Sequence, residues 1–159
     1  MSLDAPHLSP VDARPFRVGV VAAGFNPRLV EALLNNAVRR LGAAGVKTEN
    51  LLVERVPGSG ELPFGVQMLL ERHSLDVVLA LGVVIKGDTI HYQLVAEAAQ
   101  QGLVRVGLDA RVPVIAGIVV AGNAAEAEAR CLGAIDRGAE FAEAALAMAA
   151  LKLKLPPSL

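Results

Sequence analysis

The chain has 159 residues, of which 53% are hydrophobic and only 3% aromatic, and its mean hydropathy is +0.48. A domain of this length buries about 70% of the surface of its unfolded chain, so it needs no disulfide or metal to hold a core. The 15 basic and 16 acidic residues give a net charge of −1 and are scattered, which argues against a nucleic-acid-binding surface. The sequence has no apolar run near the about 20 residues that span a bilayer, and its single cysteine excludes an internal disulfide.

The N-terminal segment is polar and punctuated by proline, and it lacks the apolar core of a signal peptide. We therefore expect a flexible arm over residues 1–15, a single domain over residues 16–159 and a cytoplasmic location without membrane or nucleic-acid partners. A high content of small aliphatic residues indicates helices that pack closely on neighbours, including neighbours in other subunits.

Strand and helix patterns alternate along the chain. In chain order, the patterns predict a strand at 16–22, a helix at 28–44, a strand at 51–56, a helix at 62–72, a strand at 76–85, a helix at 91–106, a strand at 112–120, a helix from 123 past 130 and a last helix at 138–153. Asn26 followed by Pro27 is typical of an N-cap and first helical position, and Asn123 of a second cap.

The strand segments are apolar on both faces, which is typical of buried parallel strands. Strand–helix units of about 30 residues favour right-handed βαβ crossovers. The sequence therefore predicts an α/β fold, specifically a flavodoxin-like three-layer αβα sandwich with about four parallel strands and helices on both faces. In the oligomer, the N-terminal arm is a candidate for an additional edge strand.

Chemistry in such a fold is expected at the carboxyl ends of the strands, where loops 24–26, 57–61 and 86–91 arrive. The third loop is the most informative. Gly87 lets the backbone approach a ligand closely, and the amides of Asp88 and Thr89 lie just before a helix, which favours an anion site. His91, in the first helical turn, is placed to exchange protons with a bound ligand.

Each of these residues also has an ordinary structural interpretation. A histidine at a helix start is commonly a cap or a solvent-facing residue, and Arg130 on an Ala-rich helix is commonly solvated. Glu61 could simply favour the helix dipole, and Phe25 could pack on the core or stack on a planar ligand. The sequence contains no GxGxxG motif, P-loop, catalytic Ser-His-Asp set or metal-ligand spacing.

Taken together, the loops resemble those of the lumazine synthases. The similarity runs from about residue 16 to residue 151 and needs almost no gaps. It is carried by Gly24-Phe25-Asn26, Val56-Pro57-Gly58-Ser59-Gly60-Glu61-Leu62-Pro63, Leu81-Gly82-Val83-Val84-Ile85-Lys86-Gly87-Asp88-Thr89-Ile90-His91-Tyr92, Val112-Pro113-Val114-Ile115 with Gly117, Asn123 and Arg130.

The resemblance implies a reaction, the condensation of 5-amino-6-(D-ribitylamino)uracil with 3,4-dihydroxy-2-butanone 4-phosphate to 6,7-dimethyl-8-ribityllumazine. This is the penultimate step of riboflavin biosynthesis, and the family uses no cofactor and no metal for it. The family's stacking aromatic falls on Phe25. The resemblance further implies that Ser59-Gly60-Glu61 hold the ribityl chain and ring edge, and that Val83-Val84-Ile85 line the pyrimidine.

For the second substrate, the resemblance implies that Asp88 and Thr89 supply amides to the phosphate and that His91 transfers protons. Arg130 would pair with the phosphate from an adjacent subunit, since the family's sites lie between subunits of a pentamer. In many members twelve pentamers form a hollow capsid, so pentamer, decamer and capsid all stay open.

Among the positions that depart from the family pattern, two lie at the substrate pocket. Gly60 stands where an aromatic is usual, and Ala116 stands where a neighbouring subunit usually supplies phenylalanine to the substrate site. These departures motivate an alternative, namely a weakly active or inactive paralogue that binds a flavin or lumazine or forms a shell. His91, Thr89 and Arg130 are retained, which favours the enzyme.

Overall fold

The computed structural model describes residues 8–155. The helices and strands are β1 (Val18–Ala23), α1 (Pro27–Ala43), β2 (Leu51–Val56), α2 (Leu62–Arg72), β3 (Val77–Ile85), α3 (His91–Ala110), β4 (Val114–Ala121), α4 (Ala124–Cys131) and α5 (Arg137–Lys154). Short 3₁₀ turns at Thr48–Asn50 and Ser59–Glu61 precede β2 and α2.

The four strands form one parallel sheet in the order β2-β1-β3-β4. Helices α1, α4 and α5 pack together on one face, and α2 and α3 pack on the other. The predicted three-layer α/β architecture is therefore confirmed. The chain moves outward from β1 to β2 and then crosses to β3 on the other side of β1, so the strand order switches direction between β1 and β3. Open α/β sheets bind ligands at such a point.

The central strands β1 and β3 are buried along almost their whole length. Alternate residues contribute to two cores. Val20 and Leu79 face the α1, α4 and α5 layer, whereas Val21 and Ala80 face α2 and α3. Burial on both faces explains why these strands are continuous apolar runs rather than alternating ones. The pairing of β1 with β3 ends at Ala22 and Leu81, while β3 stays paired with β4 as far as Ile85.

Helix α3 is longer than predicted. It continues through Gly107 to Ala110. The next residue, Arg111, is the C-cap and has a left-handed φ of 54°. Tertiary packing overrides the helix-weakening effect of this glycine, because an added Cβ at Gly107 would lie 3.2 Å from Val114 Cγ2 on β4. The glycine therefore allows a close approach between helix and strand.

Part of the predicted N-terminal arm lies outside the described residues, namely residues 1–7, as do the C-terminal residues 156–159. Within the rest of the arm, Ala13 is buried and its N–H donates to the Ala44 carbonyl at 3.0 Å. Residues 8–15 form no strand within the chain, and pairing of the arm with another subunit stays a prediction. None of the described helices is both long enough and apolar enough to cross a membrane.

Candidate functional site

A cavity of about 430 Å³ opens at the carboxyl ends of β1 and β3, where the strand order switches. This volume suits a small-molecule ligand. Four segments line the cavity, and their lining residues are Phe25, Asn26, Gly58, Ser59, Gly60, Glu61, Val83, Val84, Ile85, Gly87, Thr89, His91, Tyr92 and Val95.

The loop after β1 places an aromatic ring at the mouth of the cavity. Phe25 is 72% exposed, so it is not a core residue. Asn26 occupies the predicted N-cap position of α1, and Pro27 begins the helix. The expected capping bond is absent, however, because Asn26 has a left-handed φ of 54° and its side chain makes no bond to the helix. Its Nδ2 instead donates to the Val83 carbonyl at 2.9 Å, so the amide serves strand β3 rather than α1.

The turn Ser59–Glu61 forms a second wall. Ser59 is buried against Gly82 of β3, and Gly58 is buried below Phe25. A Cβ at Gly58 would lie 3.0 Å from Glu61 Oε2 and 3.1 Å from Phe25 Cδ2, so the absence of a side chain makes room for both groups. Gly60 is different, since no heavy atom lies within 4 Å of the Cβ that it lacks. The wall is therefore open at this position.

The end of β3 supplies an apolar floor. Val83 and Val84 are 2% and 8% exposed, and Ile85 is half-buried. The Val83 side chain belongs to the core on the α1 face, so this residue meets the cavity through its backbone. An apolar strand end and an exposed phenylalanine ring that line the same cavity are suited to a planar heterocycle.

The loop from Gly87 to the start of α3 forms the polar end of the cavity. Among residues 8–155, the backbone N–H groups of Asp88 and Thr89 have no hydrogen-bond partner. Thr89 Oγ1 accepts from the His91 N–H at 3.4 Å, and both side chains are exposed. Free amides ahead of a 20-residue helix make a favourable position for an anion. His91 lies within the first turn of the same helix, beside that position.

Three of the residues predicted for the site do not line this cavity. Asp88 is exposed between two residues that do. Ala116 pairs with Ala80, four residues before Val84 along β3, which places it about 13 Å below the carboxyl end of the sheet. Arg130 lies on α4, in the helical layer on the opposite face of the sheet.

Helix α4 holds Arg130 in a defined position. The Asn123 side chain accepts from the Glu126 N–H at 2.9 Å, which confirms the predicted cap. Glu126 in turn accepts from the Gly122 N–H at 2.9 Å, so the two side chains form a reciprocal cap. Arg130 Nη1 donates to the Glu126 carbonyl at 2.8 Å. A guanidinium carries five N–H donors, so Arg130 retains further donors beside this bond.

Four lining residues were not predicted as site residues, namely Asn26, Gly58, Tyr92 and Val95. Val95 lies one helical turn after His91, so helical periodicity could have identified it. Asn26 could not be identified in this way, because its local sequence indicates only a helix cap. Among the described residues, no group of three or more His, Cys, Asp or Glu side chains is arranged to hold a metal ion.

Comparison with known proteins identifies the family. A family model described as 6,7-dimethyl-8-ribityllumazine synthase matches residues 15–153. Proteins named 6,7-dimethyl-8-ribityllumazine synthase are similar over most of the chain. The one from Stenotrophomonas maltophilia is 40% identical over 88% of this chain and 91% of its own. That from Schizosaccharomyces pombe is 37% identical over 92% and 94%, and that from Porphyromonas gingivalis is 35% identical over 87% of each. The chain therefore belongs to the 6,7-dimethyl-8-ribityllumazine synthase family.

Proposed function

We propose that the cavity between β1 and β3 is where this chain condenses 5-amino-6-(D-ribitylamino)uracil with 3,4-dihydroxy-2-butanone 4-phosphate to the lumazine. The condensation itself is the activity of the family to which the chain belongs. One observation carries the assignment to this cavity. An exposed aromatic ring and an apolar floor lie at one end, and free backbone amides with a histidine lie at the other. The two ends match a planar pyrimidine and a small phosphate ester.

The pyrimidine half of the proposal rests on three features. Phe25 stacks on the ring from the cavity mouth, and the end of β3 forms the opposite surface. An offset stack of this kind contributes about 0.5–1.5 kcal/mol beyond its buried area. The Glu61 carboxylate and the backbone of Ser59–Gly60 are available to the polar edge and the ribityl hydroxyls. Hydrogen bonds there fix the orientation of the amine that reacts.

The phosphate half uses the start of α3. The amides of Asp88 and Thr89 point ahead of the helix, where its dipole favours negative charge. Joining an amine to a ketone and expelling phosphate both require protons to be moved. The His91 imidazole lines the cavity beside this position, so it takes and returns these protons. Most of the acceleration comes from holding two reactive substrates together, and the proposed reaction uses no cofactor.

We further propose that the working unit is a homo-oligomer, a pentamer or larger, in which Arg130 of a neighbouring copy completes the phosphate site. Arg130 does not line its own chain's cavity, and its helix packs on the α1 face of the sheet, away from the α3 residues that line the cavity. The chain also leaves large apolar side chains exposed on α3 and on the edge strand β4, namely Leu94, Val104, Leu108 and Val120. A second copy is the natural cover for these positions in a cyclic assembly.

The family match gives no support to the alternative of an inactive binding or shell protein. The cytoplasmic location expected from the sequence stays a prediction. Assembly size is measured by multi-angle light scattering, and a monomeric active enzyme would contradict the shared site.

The decisive assay uses the purified full-length chain with both substrates and follows the fluorescence of the lumazine product. We expect formation well above the rate of the spontaneous condensation measured in the same buffer without protein. A rate equal to the spontaneous one would overturn the proposed function.

A further inference from the structure

The backbone around Phe25 is anchored on both sides. The preceding residue, Gly24, donates its N–H to the Pro57 carbonyl at 3.1 Å. The following residue, Asn26, donates through Nδ2 to the Val83 carbonyl at 2.9 Å, across 57 positions of sequence. The ring itself is 72% exposed, so packing in the core does not fix it. Its position depends on the loop that carries it.

Asn26 combines two properties that few residues share. In residues 8–155, the non-glycine residues with positive φ are Asn26 and Arg111. Arg111 is a helix C-cap, where the left-handed conformation is ordinary. Asn26 is at a helix start, where an N-cap usually has extended backbone. Asparagine tolerates this conformation better than most residues, and its amide also supplies a donor.

The hydrogen bond from Asn26 to Val83 lies just beyond the point where β1 and β3 cease to pair. The β1–β3 ladder ends at Ala22 and Leu81, and Val83 is two residues further along β3. The Asn26 side-chain amide therefore donates its hydrogen bond where the next backbone hydrogen bond between β1 and β3 would otherwise lie. It joins the loop that carries Phe25 directly to the floor of the cavity.

The other side of the ring rests on bare backbone. A Cβ at Gly58 would lie 3.1 Å from Phe25 Cδ2 and 3.5 Å from Cε2. Contact with Gly58 and the bond from Asn26 to Val83 together define the height of the ring above the floor. That height decides whether a flat ligand can be held between them.

We propose that Asn26 is a positioning residue: its bond to the Val83 carbonyl fixes the left-handed turn that holds the Phe25 ring over the cavity, and it thereby sets affinity for the planar substrate. The identity of that substrate rests on the proposed function. The competing role is purely structural, with Asn26 serving only to start helix α1.

Two substitutions at position 26 distinguish the effect of the left-handed backbone conformation from the effect of the Nδ2 hydrogen-bond donor. Asn26→Gly accepts the left-handed φ without strain but has no amide. Asn26→Asp keeps the shape and tolerates the same φ, but at neutral pH it presents only acceptors to the carbonyl. Asn35→Asp is the matched control, because Asn35 is an exposed residue on the same helix.

The first measurement needs no activity. The chain contains no tryptophan, so Phe25→Trp introduces a single indole at the cavity mouth, which is excited selectively over the one tyrosine. Time-resolved anisotropy and acrylamide quenching then report the freedom of that indole in the ligand-free protein, alongside a thermal melt of each variant. We expect faster local motion and stronger quenching with either Asn26 substitution, and no change with the control. Unchanged indole motion in both Asn26 variants would overturn the proposal.

The second measurement uses native Phe25 and steady-state kinetics. We expect KM for the pyrimidine to rise about three- to tenfold, which is the loss of one ordinary hydrogen bond expressed as affinity. KM for the phosphate substrate should be unchanged. Equal rises in both KM values would indicate general disruption and would contradict a positioning role. If the native chain formed no lumazine at all, the proposed function would fail, while the indole measurement would still decide the role of Asn26.

Discussion

Ser59 Oγ lies 2.5 Å from the position that a Cβ on Gly82 would occupy. The contact brings the turn Ser59–Glu61 directly onto strand β3, and Ser59 itself is only 5% exposed. Leu62 Cδ1 also lies close to this Cβ position, at 3.3 Å. The wall of the cavity therefore owes its position to a missing side chain in the middle of a strand.

Gly82→Ala should displace this wall. Because Ser59 is buried, its hydroxyl has no free space to move into, and we expect the free energy of unfolding to fall by about 1–3 kcal/mol. KM for the pyrimidine should rise as well. Urea unfolding and steady-state kinetics check both. Gly42→Ala is the control: nothing lies within 4 Å of its Cβ position on α1, so it should be neutral or stabilising by about 0.5–1 kcal/mol.

Filling the open wall at Gly60 should tighten binding. Apart from its two chain neighbours, no heavy atom lies within 4 Å of the Cβ position of Gly60, so Gly60→Phe starts a side chain in open space. We expect pyrimidine affinity to increase about two- to tenfold, the gain typical of an added aromatic contact. Titration calorimetry with the pyrimidine alone measures it, with Gly60→Ala as the control for lost backbone freedom. Weaker binding by the phenylalanine variant would show that the space is needed for the ligand.

Arg130→Ala should impair the phosphate substrate selectively. A charge-assisted hydrogen bond is worth about 1.5–3 kcal/mol, so KM for the phosphate ester should rise about ten- to a hundredfold with little change for the pyrimidine. Equal effects on the two substrates would contradict the assignment.

A shared site also predicts complementation. Phe25→Asp should abolish pyrimidine stacking in its own chain but leave Arg130 intact. When the Phe25→Asp and Arg130→Ala variants are unfolded together and refolded as mixed oligomers, about a quarter of sites should combine two native halves. Recovered activity near that fraction supports a site between copies, whereas mixtures as inactive as their parents would place Arg130 elsewhere.

His91→Ala should slow turnover by only about tenfold, because proximity of two reactive substrates supplies most of the acceleration. The more telling result is the pH profile of kcat. Removal of a group that transfers protons in the reaction should change the shape of this profile. A mutant with the native rate and the native profile would remove His91 from the reaction.

Cys131 should be unreactive in the folded protein. Burial raises the pKa of its thiol to about 11, although the adjacent Arg130 charge acts in the opposite direction. The ordinary pKa of the thiol is 9.0, so the unfolded chain ionises first and this residue's contribution to stability should fall as the pH rises from 9.0 towards about 11. Labelling by a thiol reagent at pH 8 should follow the unfolding rate, and the Cys131→Ala variant should give no signal. Immediate labelling of folded protein would contradict this.

The sequence predicted the elements well because their signals are local. Continuous apolar runs in β1 and β3 reflect burial on both faces, and helical spacing reflects one buried stripe on each helix. Helix α3 ran past its predicted end because contact between Gly107 and β4 is a tertiary effect. The Asn26 bond to Val83 has the same origin, since its partner is 57 residues away.

The same distinction between local signals and long-range contacts applies to the candidate site. The motif residues on the three strand-end loops meet at one cavity, as parallel topology requires. Ala116 and Arg130 do not line it, because Ala116 lies in the middle of the edge strand β4 and Arg130 lies on α4. The roles proposed for them need a second chain, and no pattern within one sequence fixes the geometry between two copies.

The early end of the β1–β3 ladder has a consequence for how this enzyme can change. The cavity begins where two central strands part, and its floor is a strand still locked to β4 through Ile85. Remodelling the floor would disturb the sheet that every helix packs on, whereas the exposed Phe25 side chain and position 60 lie on loops at the cavity mouth, outside the sheet. Substitutions that alter which heterocycle is bound should therefore arise at the Phe25 loop and at position 60. Substitutions in β3, which forms the floor, should be tolerated least because they disturb the sheet.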